Sequence, residues 1–171
     1  MAVKVLYKGK WMEMHGREVD GHDDYEFTHR AGGREAVYMI PTTENNELIM
    51  ILNHRYSVNK KVLEFPAGLM DEGEEPFHTA NRELLEETGY EANVVIMHPL
   101  GMSNSGRSDE EVWAARMKGC KKISEQQLDD GENIEVLIIP EYDLISTIMG
   151  YRDLGFKISS RVIAYMIGKG E

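Results

Sequence analysis

Short apolar runs and short alternating pieces, parted by polar turns, recur along this chain, a pattern that predicts more strands than helices. Residues 3–19 mix the two kinds in short alternating pieces, as hairpin strands do. A polar turn at 20–24 (DGHDD) leads into YEFTHR. Strands are predicted at 35–42 (EAVYMIPT) and 47–52 (ELIMIL), parted by the turn-like ENN, and at 61–65 (KVLEF), stopped by Pro66. Further strands at 94–97 and 111–117 flank a polar loop at 101–110, and 134–139 adds another. The period changes to that of a helix at 75–88, where Phe77, Ala80, Leu84 and Thr88 recur on one side and give a face to bury. Pro76 suits the first turn, where its missing N–H costs nothing, and Gly89 suits a left-handed stop. Two more helices are predicted at 141–149 and 158–167. Helices interspersed among more numerous strands imply an α/β fold, a mixed sheet with helices on both faces.

At 171 residues and 42% hydrophobic, the chain fits one domain with a real core. Its net charge of −11, from 30 acidic and 19 basic residues without a basic stripe, argues against nucleic acid as a partner. A compact polyanion can still bind where divalent cations invert the local field. Cys120 is the single cysteine, so neither an internal disulfide nor a cysteine zinc site can form. No apolar run reaches signal-peptide or membrane-span length, and a cytoplasmic protein without a membrane partner is expected. The eleven methionines scatter as core filler, and His29, His54, His78 and His98 have no ligand-like spacing.

The polar side of the 75–88 helix carries chemistry. Glu83, Glu86 and Glu87 are three and four residues apart, so they project together about 5–6 Å from one another. Like charges this close raise each other's pKa, and hard cations such as Mg²⁺ or Mn²⁺ relieve the repulsion. A solvated acidic face, held by pairs such as Arg82–Glu86, is the plainer alternative. The whole segment decides between them. Gly68, five residues, Glu74, seven residues, Arg82-Glu83-Leu84, one residue, Glu86-Glu87, one residue, Gly89 and a bulky apolar residue match the Nudix box without a gap. Its strictly specified positions meet by chance at roughly 10⁻⁸ or less per starting point. The one departure is Tyr90, where aliphatics are commoner.

The chain therefore resembles the Nudix superfamily, closely over these 23 residues and more loosely from about Tyr25 onward. The resemblance implies an α/β/α sandwich that hydrolyses a nucleoside diphosphate linked to a further moiety. It implies Glu83 and Glu87 as chief ligands of two or three Mg²⁺ or Mn²⁺ ions, with Glu86 and the Ala67 carbonyl as further ligands. Arg82 is expected to pair with Glu74, which then orients the site, and Gly68 and Gly73 let the loop backbone approach metal and phosphate.

Flanking words narrow the class. LEFPAG (63–68), Asn53-His54-Arg55-Tyr56 and Gly106-Arg107-Ser108-Asp109-Glu110 resemble the branch that cleaves ADP-ribose and other nucleoside diphosphate sugars. In that branch a glutamate of the later loop serves as base, which aligns with Glu110, Glu111 being the near rival. Ser105 stands where a proline is usual, which leaves other nucleotide sugars open. Arg55 and Arg30 are candidates for substrate phosphate, Trp11 for stacking on a base, and Ser105 and Gly106 for further substrate contacts. Residues 1–33 are expected to form N-terminal strands that build a homodimer, with 34–171 as the catalytic domain. The competing readings are a hydrolase of nucleoside triphosphates or dinucleoside polyphosphates, and a non-catalytic nucleotide-sugar sensor. The intact box and the lack of room for a DNA-binding domain speak against the sensor.

Overall fold

The structure, a computed structural model, describes residues 2–20 and 24–170, Leu100 by its backbone alone. The expected turn at 20–24 thus lies mostly outside the described residues. Strands β1 (Val3–Lys8), β2 (Met12–Arg17) and β3 (Tyr25–Arg30) form a separate antiparallel sheet in the order β1-β2-β3, so the expected hairpin gains a third strand. The main sheet holds β4 (Ala36–Thr43), β5 (Glu47–Arg55), β6 (Lys60–Glu64) and β7 (Ala67–Leu69). After helix α1 (Pro76–Thr88) come β8 (Tyr90–Glu91), β9 (Val94–Met102), β10 (Glu111–Lys122) and β11 (Ile134–Pro140). A 3₁₀ turn at Glu141–Asp143 leads into α2 (Leu144–Asp153), then β12 (Lys157–Ile158) and α3 (Ser160–Gly168).

The main sheet is mixed. β10 runs parallel to β4 and β12 parallel to β6, while the other pairings are antiparallel. Its two faces carry two cores, divided by the pleat of β5. Leu48, Met50 and Leu52 point to one side, where Leu63, Phe65, Leu144, Ile148 and Val162 bring in α2 and α3. Ile49 points to the other, against Val37, Met39, Ala115, Met117 and the α1 residues Ala80 and Leu84. Helices on both sides make this the expected α/β/α sandwich. Each of the buried valines, leucines, isoleucines, methionines and phenylalanine contributes about 1.5–3 kcal/mol of transfer free energy.

Helix α1 ends where the sequence predicts and begins one residue later, at Pro76 with Glu75 as its N-cap, and Gly89 is left-handed at φ 76°. Gly89 is fixed by space as well as by φ, since an added Cβ would run into the Ser124 carbonyl oxygen. One expectation fails. Phe77 is 47% exposed, because α1 makes its core contacts only from Thr79 onward. Two helix starts also move. Residues 141–143 form the tighter 3₁₀ turn, and Ile158 pairs in β12 while Ser159 caps α3 by accepting from the Arg161 N–H. No described helix is long and apolar enough to cross a membrane.

Candidate active site

β7 pairs with β4 through Tyr38–Ala67, Val37–Gly68 and Ala36–Leu69, and so holds the start of the Gly68 loop against the sheet. α1 packs directly beneath. An added Cβ on Gly68 would overlap the Glu83 carboxyl group, so glycine here is what lets that carboxylate reach the loop backbone. Glu87 lies one helical turn further on, 3% exposed, and Oε2 accepts the Ala67 N–H at 3.0 Å. Burial pushes the Glu87 carboxyl well above the usual carboxylate range, and the Glu83 charge adds to the effect. Glu83 is raised as well, by burial first, with Arg82 pulling against it.

Arg82 ties the loop to the helix. Its guanidinium donates to Glu74 from Nε (3.0 Å) and Nη2 (2.8 Å), and Nη2 also reaches the Leu69 carbonyl at 3.0 Å. Nη1 donates to Glu83 at 2.8 Å and to Glu86 at 3.0 Å. These contacts hold the Glu74 carboxyl down at about 2. The predicted Arg82–Glu74 pair is therefore present, and Arg82 faces box carboxylates rather than open solvent.

A cavity of about 530 Å³ opens over this arrangement. Ala67, Gly68, Arg82, Glu83 and Glu86 form its floor, and Glu110 and Arg30 stand on one wall. Arg30 donates to Glu110 Oε1 from Nε at 2.7 Å and again from Nη2. Arg30, offered above for substrate phosphate, thus also grips the candidate base. Glu111 is exposed at the start of β10, opposite Met102, and does not line the cavity. Arg55 lines it too, with Nε donating to Glu64 at 2.7 Å.

Three expected substrate contacts are not in this cavity. Trp11 is 65% exposed in the turn between β1 and β2, with the Lys10 ammonium 4.4 Å from its ring centre. Ser105 and Gly106 are exposed at the tip of their loop, where the Gly106 carbonyl accepts the Tyr25 hydroxyl at 2.7 Å. Both sit at turn tips, which the chain carries outward from the sheet ends. Conversely, Arg34, Arg161, Asp129 and Glu132 line the cavity without having been singled out. Arg161 enters from the first turn of α3. Asp129 and Glu132 arrive because the segment before β11 docks on α1: Gln126 Nε2 donates to the Glu87 carbonyl at 2.7 Å, and the Gln127 N–H to that of Glu86 at 2.8 Å. The turn composition DDGEN at 129–133 was the only local signal.

The donor set fits hard divalent cations: oxygen ligands only, one of them a carboxylate buried at the cost of its charge. Five arginines (Arg30, Arg34, Arg55, Arg82 and Arg161) share the cavity with the acids, so anionic oxygens meet cationic walls despite the net charge. Such a site is suited to cations and a compact polyanion together.

Residues 32–146 match the family model of the NUDIX domain, and the chain belongs to the Nudix hydrolase family. It is 28% identical over 155 residues to an ADP-ribose pyrophosphatase of Bacillus subtilis (strain 168), covering 86% of this chain and 81% of that protein. It is 31% identical over 128 residues to an ADP-sugar pyrophosphatase of Mus musculus, covering 70% of this chain and 59% of the relative. The crystal structure of an ADP compounds hydrolase superposes with a TM-score of 0.69 over 87% of this chain and 81% of that one, at 21% identity, and bears out the fold.

Proposed function

We propose that this protein hydrolyses the diphosphate bridge of ADP-ribose or a related nucleoside diphosphate sugar, releasing a nucleoside monophosphate and a sugar phosphate. The carrying observation is the single cavity where Glu83, Glu86, the Ala67 backbone, Glu110 and five arginines face one another, with Glu87 buried behind Ala67. The names of the Bacillus and mouse relatives support the substrate class.

Glu83, Glu86, Glu87 and the Ala67 carbonyl would hold Mg²⁺ or Mn²⁺. When bound, such cations neutralise phosphate oxygens and acidify a water. Arg34, Arg55 and Arg161 bind the remaining phosphate charge, Arg55 being steadied by Glu64. Glu110 takes the proton of the attacking water. Both Arg30 hydrogen bonds go to Glu110 Oε1, so Oε2 is the oxygen that accepts it. Arg82 and Glu74 position the box.

The N-terminal sheet pairs a second copy of the chain. Val5, Tyr7, Trp11, Met12 and Tyr25 are exposed on it and Phe27 is its single buried large apolar side chain, too little to hold three short strands alone.

The test is incubation with ADP-ribose and Mg²⁺, with GDP-mannose, UDP-glucose, NADH and ATP as comparisons, followed by chromatography of the products. AMP and ribose 5-phosphate are expected from ADP-ribose at a higher kcat/KM than any turnover of ATP. Preferential release of pyrophosphate from ATP would overturn the substrate class.

A further inference from the structure

Away from the cavity, the tightest gathering of metal-ligand side chains among the described residues lies where the N-terminal sheet meets the 103–110 loop. His15 on β2, His29 on β3 and Asp109 each present a ligand-type atom, all within 4.8 Å of one another. The register explains the meeting. Glu13 stands opposite His29 and His15 opposite Phe27, so Glu13, His15, Phe27 and His29 share one face of the sheet. β3 then docks on the loop: the Thr28 N–H donates to the Arg107 carbonyl at 2.8 Å, and Ser108 Oγ to the Thr28 carbonyl at 3.2 Å. That docking sets Asp109 Oδ2 2.9 Å from His29 Nδ1. The two imidazoles stack, 4.6 Å between centres and 17° between planes. On the far side, Glu13 Oε2 lies 2.8 Å from His15 Nε2, and Lys8 holds its other oxygen at 3.2 Å.

We propose that His15, His29 and Asp109 bind one transition-metal dication of the Zn²⁺ type, which clips the N-terminal sheet to the loop carrying Glu110. Two imidazole nitrogens and one carboxylate oxygen form a borderline donor set that suits Zn²⁺, Co²⁺ or Ni²⁺ and disfavours Mg²⁺. Bonds of about 2.0–2.1 Å in a tetrahedron place donors about 3.3 Å apart, so the side chains would close from the present spread of up to 4.8 Å, with the stacked rings turning to aim their nitrogens at the ion. Glu13 supplies the outer carboxylate such sites use to hold a histidine ring. Glu13 occupies His15 Nε2, which leaves Nδ1 as the nitrogen for the ion. Asp109 and His29 each precede a member of the Arg30–Glu110 pair, so the ion would fix both ends of that contact.

Metal binding here is independent of the proposed hydrolysis and is tested without it. Long-range ¹H–¹⁵N spectra of the wild-type imidazoles, with Mg²⁺ in large excess, are compared before and after one equivalent of Zn²⁺. Movement of the His15 and His29 ring nitrogens, with His54, His78 and His98 unmoved, is expected; unmoved His15 and His29 overturn the proposal. Co²⁺ titration followed in the visible gives the second arm. Wild type and Glu87→Gln should show the band of four-coordinate Co²⁺ and lose it to Zn²⁺. His29→Asn and Asp109→Asn, checked for wild-type melting without metal, should bind Co²⁺ at least tenfold more weakly. Equal binding by those two variants refutes the assignment.

Discussion

At Glu87, burial and charge oppose each other most sharply. An ionised carboxylate that is 3% exposed, with the Ala67 N–H on one oxygen, is costly unless a cation faces it. Glu87→Gln removes the charge and keeps the shape, so the metal-free variant should melt no lower than wild type while kcat falls at least about 100-fold. Calorimetry and steady-state assays with ADP-ribose check the two halves separately. Glu110 and Glu111 are separated by the same logic. Glu110 lines the cavity with one oxygen held by Arg30, whereas Glu111 is exposed on β10. Glu110→Gln should lower kcat by about 10²–10⁴ with Mn²⁺ affinity unchanged, and Glu111→Gln should leave kcat within a factor of two. The reverse result would place the base one residue later. The box acids were legible because their spacing is local to one loop and one helix. Arg34, Arg161, Asp129 and Glu132 were not, since each reaches the cavity through tertiary packing that no short window records. His29 is the same lesson: its companions lie across a strand pairing and on a loop eighty residues away, not at helical or turn spacing.

Among the elements, the loop–helix unit from β7 to α1 carries the site, and Arg82 is its brace. Because Arg82 holds the folded Glu74 carboxyl near 2, below its ordinary 4.5, the pair stabilises the fold fully above about pH 4.5 and loses that contribution as the pH falls toward 2. Wild type should exceed Glu74→Gln by about 1–2 kcal/mol at neutral pH in chemical denaturation. The gap should close between pH 4.5 and 2; a gap that persists at pH 2 would mean Glu74 acts by shape alone. Elements with a full period were readable from sequence: β4, β5, β6, β9, β10, β11 and α1 lie on the predicted segments, although β5 runs on to Arg55, β10 to Lys122 and β9 to Met102, into the expected loop. β7, β8 and β12 were not, because two or three residues hold no period and their extended shape is imposed by the neighbouring strand. Phe77 shows the converse limit, a residue in phase with a buried face at a turn that overlies no core.

The molecule as a whole combines a strong net negative charge with an arginine-walled cavity, and both features matter to what it can admit. A net charge of −11 repels free phosphates at long range, so substrate capture should depend on divalent cations and on the local arginines rather than on overall steering. The separate N-terminal sheet leaves large apolar side chains exposed, and the proposed pairing would cover them with a second copy. Light scattering after size exclusion should give about 39 kDa, twice 19.5 kDa, and Tyr7→Glu combined with Trp11→Glu should return it to one chain. A wild-type species of one chain's mass would refute the pairing. The most direct test of the central claim is a crystal structure with Mg²⁺ and a methylene-bridged, uncleavable ADP-ribose analogue. Cations shared between Glu83, Glu86, Glu87 and non-bridging oxygens of the two phosphorus atoms, with Glu110 facing the bridge, are predicted. An analogue bound elsewhere, with those three carboxylates bare of metal, would contradict it.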